Sequence, residues 1–157
     1  MNQVDLQHLE RCVELAEMAL EAGDEPFGSV LVDGDGLVRA EDHNHVAGGD
    51  RTQHPEFYLA RWSAANMTPE ERAESTVYTS GEHCPMCAAA HGWVGLGRIV
   101  YATSSEQLTE WLAELGVPPP PVRTLAIREI VPDLEVEGPA EQFADRVRDL
   151  HRRLHSA

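Results

Sequence analysis

Cys84 and Cys87, spaced C-x-x-C, together with His54 and Glu56 upstream, confine what this chain can fold into. Two thiolates at that spacing bind one ion. Pro85 follows Cys84, and the apolar run Ala88 to Ala90 follows Cys87. Proline suits the first turn of a helix, where its missing N–H costs nothing. Both sulfurs then sit at a helix N-terminus, where the positive end of the dipole favours thiolate. His54 also precedes a proline, Pro55, so it reads as a helix-start residue with Glu56 in the first turn. Two helix starts therefore offer one imidazole, two thiolates and one carboxylate. Three N/S ligands with an open position define a catalytic zinc rather than a closed structural one.

Zinc deaminases carry H-x-E followed by P-C-x-x-C. The chain resembles the cytidine deaminase superfamily, in particular its guanine deaminase and tRNA adenosine deaminase branch. The likeness runs through Pro26-Phe27-Gly28 and the apolar stretch Ser29 to Val32. It continues through His43-Asn44, His54-x-Glu56, Glu82-x-Cys84-Pro85-Met86-Cys87, and Trp93 to Ala102. Two positions depart from the family: Pro55 replaces a small residue, and His83 replaces a proline.

Elements can be set out from periodicity. Gln3 to Ala22 has helical apolar spacing and ends at Gly23. Phe27 to Asp33 and Leu37 to Asn44 flank Gly34-Asp35-Gly36 as a hairpin. His45 to Gln53 is a polar loop, Pro55 to Asn66 a helix, and Pro69 to Glu74 a short helical turn. Ser75 to Ser80 reads as a strand, followed by the cysteine helix to about Leu96 and a strand from Arg98 to Thr103. Ser104 or Ser105 caps a helix ending near Gly116. Pro118 to Pro121 is a stiff loop, Val122 to Ile130 a last strand, and Pro139 to His155 a last helix. The order predicts one α/β domain over residues 1–157, with helices on both faces of a mixed sheet. The resemblance implies the same three-layer α/β/α fold, with a central five-stranded sheet.

The chemistry implied is hydrolytic removal of an amino group from an amidine-like ring carbon. Zinc, one per chain, lowers the pKa of a bound water from about 16 toward about 7. His54, Cys84 and Cys87 are the expected ligands, and Glu56 the proton carrier. The competing reading is a structural zinc module completed by His83 or His91. In relatives, the asparagine matching Asn44 holds the base, and an amide both donates and accepts. Its local alternative is a turn role. Phe27 matches a pocket-lining position, and Trp93 is placed to stack on a flat ligand or to pack in the core. His83 flanks the ligands and is a further candidate for substrate contact. Glu82 reads as a loop-fixing carboxylate and Cys12 as a buried small residue. Arg146, Arg148, Arg152 and Arg153 read as a solvated helix face. The family's habit of closing the site with a C-terminal segment keeps His151 and His155 in view.

Composition narrows the substrate. Of 157 residues, 27 are acidic and 12 basic, and every basic one is arginine. The net charge of −15 opposes a polyanionic partner such as RNA. A phosphate-bearing nucleotide needs a cationic cluster before the motifs, and only Arg51 stands there. The expected substrate is a free amino-heterocycle: guanine, a cytosine-like base, or an azapyrimidine or s-triazine. A tRNA adenosine or nucleoside deaminase is the alternative. Three cysteines leave no disulfide framework once two bind metal, which points to the cytosol. No signal peptide or membrane span is expected. The family implies a homodimer.

Overall fold

Strand alternation sorts the buried side chains onto two faces of one sheet. The computed structural model describes residues 1–156. Its elements are α1 (Gln3–Glu21), β1 (Gly28–Val32), β2 (Val38–His43), α2 (Pro55–Asn66), α3 (Pro69–Ala73), β3 (Thr76–Gly81) and α4 (Pro85–Val94). They continue with β4 (Arg98–Thr103), α5 (Ser105–Glu114), α6 (Ile127–Ile130), β5 (Val136–Glu137) and α7 (Ala144–His155). Short 3₁₀ turns precede α2, at Val46–Gly48, and α7, at Glu141–Phe143.

The sheet has five strands in the order β2-β1-β3-β4-β5. β1 runs antiparallel to both β2 and β3, whereas β3, β4 and β5 are parallel. Val30, Tyr78, Val100 and Ala102 point to one face, against Leu9, Val13, Val147 and Leu150. Leu31 and Val77 point to the other, against Leu59, Ala60 and Leu96, and Ile99 meets Ala88 and Ile127 on α4 and α6. α1 and α7 thus cover one face, and α2, α4 and α6 the other. Every residue of β1 is buried, as a doubly covered strand requires. The approach of α1 to β1 is set by Gly28, where a Cβ would lie 2.4 Å from the Cys12 carbonyl oxygen. Cys12 is fully buried in this contact, as expected of a small apolar residue.

One polar network fastens α1 to the sheet. Asn2 and Asp5 form a capping box. The Asp5 carboxylate, 3% exposed, accepts from Tyr78 Oη at 2.7 Å and from two Arg98 nitrogens at 3.0 and 2.9 Å. Arg98 also donates to Glu137 on β5. The Arg98 guanidinium holds the Asp5 carboxyl well below the usual carboxylate range.

Two expectations fail. The last strand is not Val122 to Ile130: residues 127–130 are a helical turn, and β5 comes later with only two residues. Ile127 and Ile130, three apart, share a helix face rather than alternating. The N–H of Ile127 is taken by the Glu82 carboxylate at 3.0 Å, leaving it no sheet partner. The final helix starts at Ala144, not Pro139, because the chain first makes the 3₁₀ turn. Among the described residues, no helix is long and apolar enough to cross a membrane.

Candidate active site

The candidate metal ligands occupy two helix starts. His54 is the N-cap of α2 with Pro55 at the first helical position, and Cys84 is the N-cap of α4 with Pro85 in the same place. His54 Nδ1 lies 3.5 Å from both Cys84 Sγ and Cys87 Sγ. Zinc bond lengths of about 2.3 Å to sulfur and 2.0–2.1 Å to nitrogen give a tetrahedral N···S edge of about 3.6 Å. The spacing fits one zinc without rearrangement. Neither His83 nor His91 enters this group: the ligand atoms that converge within 4.8 Å of one another are those of His54, Cys84 and Cys87. His91 Nε2 is committed to the Gly97 carbonyl at 2.7 Å, and His83 packs edge-on to His91 with ring centroids 5.5 Å apart. The fourth protein ligand of a closed structural site is therefore missing among the described residues.

The two thiols titrate as a pair. Cys84 is brought down to about 4, first by the hydrogen bond from Cys87 and then by His54. Cys87 is pushed up by that same bond and by burial. Only one of the two ionises readily without a cation between them; a bound cation takes both as thiolates. Cys87→Ala should therefore lose the tightly held zinc, measured by elemental analysis after dialysis. Retention of a full tight equivalent would reject the ligand set.

Glu56 lies in the first turn of α2, two residues after His54, and is 5% exposed. It accepts from the Thr79 hydroxyl at 2.8 Å, and burial raises its pKa above the ordinary carboxylate range. Thr79 in turn accepts from Ser29 Oγ at 2.9 Å and has the Gly81 carbonyl within 3.0 Å. Sequence reasoning missed Thr79 and Ser29. The available signal was Thr79-Ser80, a hydroxyl pair in a strand otherwise filled with buried apolar groups.

The remaining candidates fall into three groups. Asn44 is 1% exposed and ends β2. Its Oδ1 accepts from the N–H of Val46 at 3.0 Å and of Glu25 at 3.3 Å, while its Nδ2 is buried without a partner. Asn44 thus makes the turn and also keeps a free donor. It is not, however, a donor and acceptor at once, because its oxygen is spent on the backbone. Phe27 packs between Gly81 and the buried ring of His151 on α7, with ring centroids 5.1 Å apart. Trp93 is 90% exposed, so it neither fills the core nor reaches the ligand group. Both ring nitrogens of buried His83 lack hydrogen-bond partners.

Glu82 has the fixing role read from sequence, over two helices rather than one loop: its oxygens accept from Ser105 N at 2.9 Å and Ile127 N at 3.0 Å, the first residues of α5 and α6. The C-terminal arginines are not simply solvated. Arg146 pairs with Glu10 and Glu17 of α1, Arg148 with Glu114, and Arg152 with Asp149. A cavity of about 310 Å³ is lined by residues that include Asp24, Glu25, Arg51, Leu154 and His155. The last turn of α7 therefore forms one wall of it, within the same chain.

These helix starts, with an imidazole, two thiols and a buried carboxylate on a three-layer α/β/α frame, define a zinc-dependent hydrolytic deaminase. Residues 2–103 match the model of the cytidine and deoxycytidylate deaminase zinc-binding region, and the chain belongs to that family. It is 32% identical over 120 residues to a probable cytosine deaminase of Schizosaccharomyces pombe, covering 76% of this chain and 73% of that one. It is 35% identical over 104 residues to a guanine deaminase of Bacillus subtilis, covering 65% and 66%. The guanine deaminase structure from Nitrosomonas europaea superimposes with a TM-score of 0.72 over 96% of this chain and 84% of its own. At 19% identity, that likeness speaks for the fold alone.

Proposed function

We propose that this deaminase acts on a free, flat amino-heterocycle of the guanine, cytosine or s-triazine type, exchanging an exocyclic amine for oxygen and releasing ammonia. The observation that carries the reading is the unpartnered Nδ2 of Asn44. A buried donor left unmade costs about 1–3 kcal/mol, which an acceptor on a ligand ring recovers. Asn44 is held close to the metal ligands, because the next residue, His45, donates its N–H to the carbonyl of Gln53, the neighbour of His54.

Zinc, when bound by His54, Cys84 and Cys87, supplies a water acidic enough to attack at neutral pH. Glu56 would take one proton from the attacking water and hand it to a ring nitrogen, then take the second proton from the newly added hydroxyl and hand it to the departing amine. Thr79 fixes one oxygen of Glu56 and leaves the other to move the proton. Asn44 orients the ring through its single donor, and Phe27, backed by His151, supplies an apolar wall. The cavity of about 310 Å³ is lined by none of the candidate site residues. Arg51, in the loop before His54, lies 3.5 Å from Glu25, and its pairing favours a neutral base over a phosphate-bearing substrate. Arginines 146, 148 and 152, the natural place for an RNA patch, are paired with carboxylates. Three unpaired thiols suit the cytosol. The exposed Trp93 suits a subunit interface in a homodimer.

Ammonia release across amino-purines, amino-pyrimidines and amino-triazines tests the substrate class, with tRNA inosine formation as the control. Turnover of tRNA alone would overturn the free-base reading. Asn44→Asp tests the pose: it keeps an acceptor for Val46 and Glu25 and, as carboxylate, deletes the donor. We expect kcat/KM to fall roughly 5- to 150-fold, from about 1–3 kcal/mol, with zinc content unchanged. The buried charge also lowers the melting temperature, so rates are compared well below the transition. An unchanged kcat/KM would remove the anchor of the pose.

A further inference from the structure

We propose that Asp24, His43 and His45 form a second site for a divalent transition cation of the zinc class, separate from the catalytic one. Each of the three offers a ligand atom, and these atoms lie within 4.8 Å of one another. Each imidazole has one nitrogen engaged and one left over. His43 Nδ1 faces the Asn44 carbonyl at 2.9 Å, so that nitrogen carries the proton and Nε2 keeps its lone pair. His45 Nε2 faces the Asp42 carboxylate at 3.0 Å, which leaves Nδ1 free in the neutral ring. Histidine ligands to metals characteristically donate their other N–H to a carbonyl or a carboxylate in this way. The two rings lie 4.4 Å apart, tilted by 33°.

Asp24 gives an independent reason. Its carboxylate is 7% exposed, yet it has no cationic partner among the described residues. One oxygen accepts from the Ala47 N–H at 2.9 Å, and the negative charge is otherwise uncompensated. A buried charge without a partner calls for one. Two imidazoles and a carboxylate suit zinc, cobalt or nickel rather than calcium or magnesium. The net charge of −15 raises the local concentration of any cation. The site would tie the segment after α1 to the end of β2 and the turn that follows, on either side of Asn44. Loading it stiffens the loop that presents Asn44.

The test is zinc uptake by the purified holoprotein in equilibrium dialysis, with metal counted by elemental analysis. Wild type should take up a second equivalent beyond the tight one, with its melting temperature rising as that equivalent binds. His45→Ala should stop at one equivalent; this half-exposed side chain can be removed without opening the core. Asp42→Asn should bind the second equivalent about 10- to 100-fold more weakly, because it holds the ring of His45 and not the metal. A wild type that stops at one equivalent overturns the proposal. So does an undiminished second equivalent in His45→Ala, or equal affinity in Asp42→Asn, which would mark the uptake as an adventitious ion only.

Discussion

Glu56→Gln should retain its tight zinc and lose at least about a hundredfold in kcat, the lower range for general acid–base catalysis. The amide has the shape of the carboxylate and still accepts from Thr79. What it lacks is the ability to take and return a proton. Zinc content and turnover must be measured on the same preparation, since His54 and Glu56 share the first turn of α2. Near-normal turnover by the zinc-loaded variant would reject Glu56 as the proton carrier. Loss of zinc with loss of activity would instead make Glu56 a support for the ligands. The structural-module reading, already weakened by the commitment of His91 to Gly97, predicts no turnover of any ring even by wild type.

Asp5→Asn should lower stability by about 3 kcal/mol, the lower end for breaking a buried ion pair, because Arg98 keeps Glu137 as a partner. For a chain of this size that corresponds to a melting temperature about 6–12 °C lower. The effect depends on pH in a defined direction. The carboxyl of Asp5 is held below its unfolded pKa of about 3.9, so its contribution is complete above that value. It is lost as pH falls from there toward the folded pKa. The stability gap between wild type and variant should be constant above about pH 5 and narrow below about pH 4. Denaturant titrations at several pH values measure it; a gap that widens in acid would contradict the assigned pairing.

The candidate metal group was legible in sequence because its information is local. His54 and Cys84 each precede a proline that starts a helix, and spacing together with the family motif put Glu56 and Cys87 in the same two first turns. The same holds for the first four strands, short β-rich runs bounded by turn and helix signals. β5 was not legible. Two residues carry no period, and its place depends on Glu82, which caps α5 and α6 from a loop distant in the chain. The partial reading of Asn44 has a similar cause. An asparagine before a glycine-containing loop signals a turn, but which of its amide atoms is left over depends on the backbone of Glu25. Trp93 shows the limit of composition: an aromatic residue on the cysteine helix suggests stacking, and only helix rotation reveals that it faces out.

The hydroxyl of Thr79 carries one proton and has three acceptors within reach, Glu56 at 2.8 Å and the carbonyls of Gly81 at 3.0 Å and Gly28 at 3.5 Å, while Ser29 donates to it. With Glu56 ionised, the proton points at the carboxylate. With Glu56 protonated on its other oxygen, the oxygen facing Thr79 is a carbonyl and still accepts that proton. Either form of Glu56 is therefore held by the same Thr79 hydrogen bond, with no heavy atom displaced. The floor of the site is built for low reorganisation energy: a proton can arrive and leave repeatedly without the surroundings having to follow.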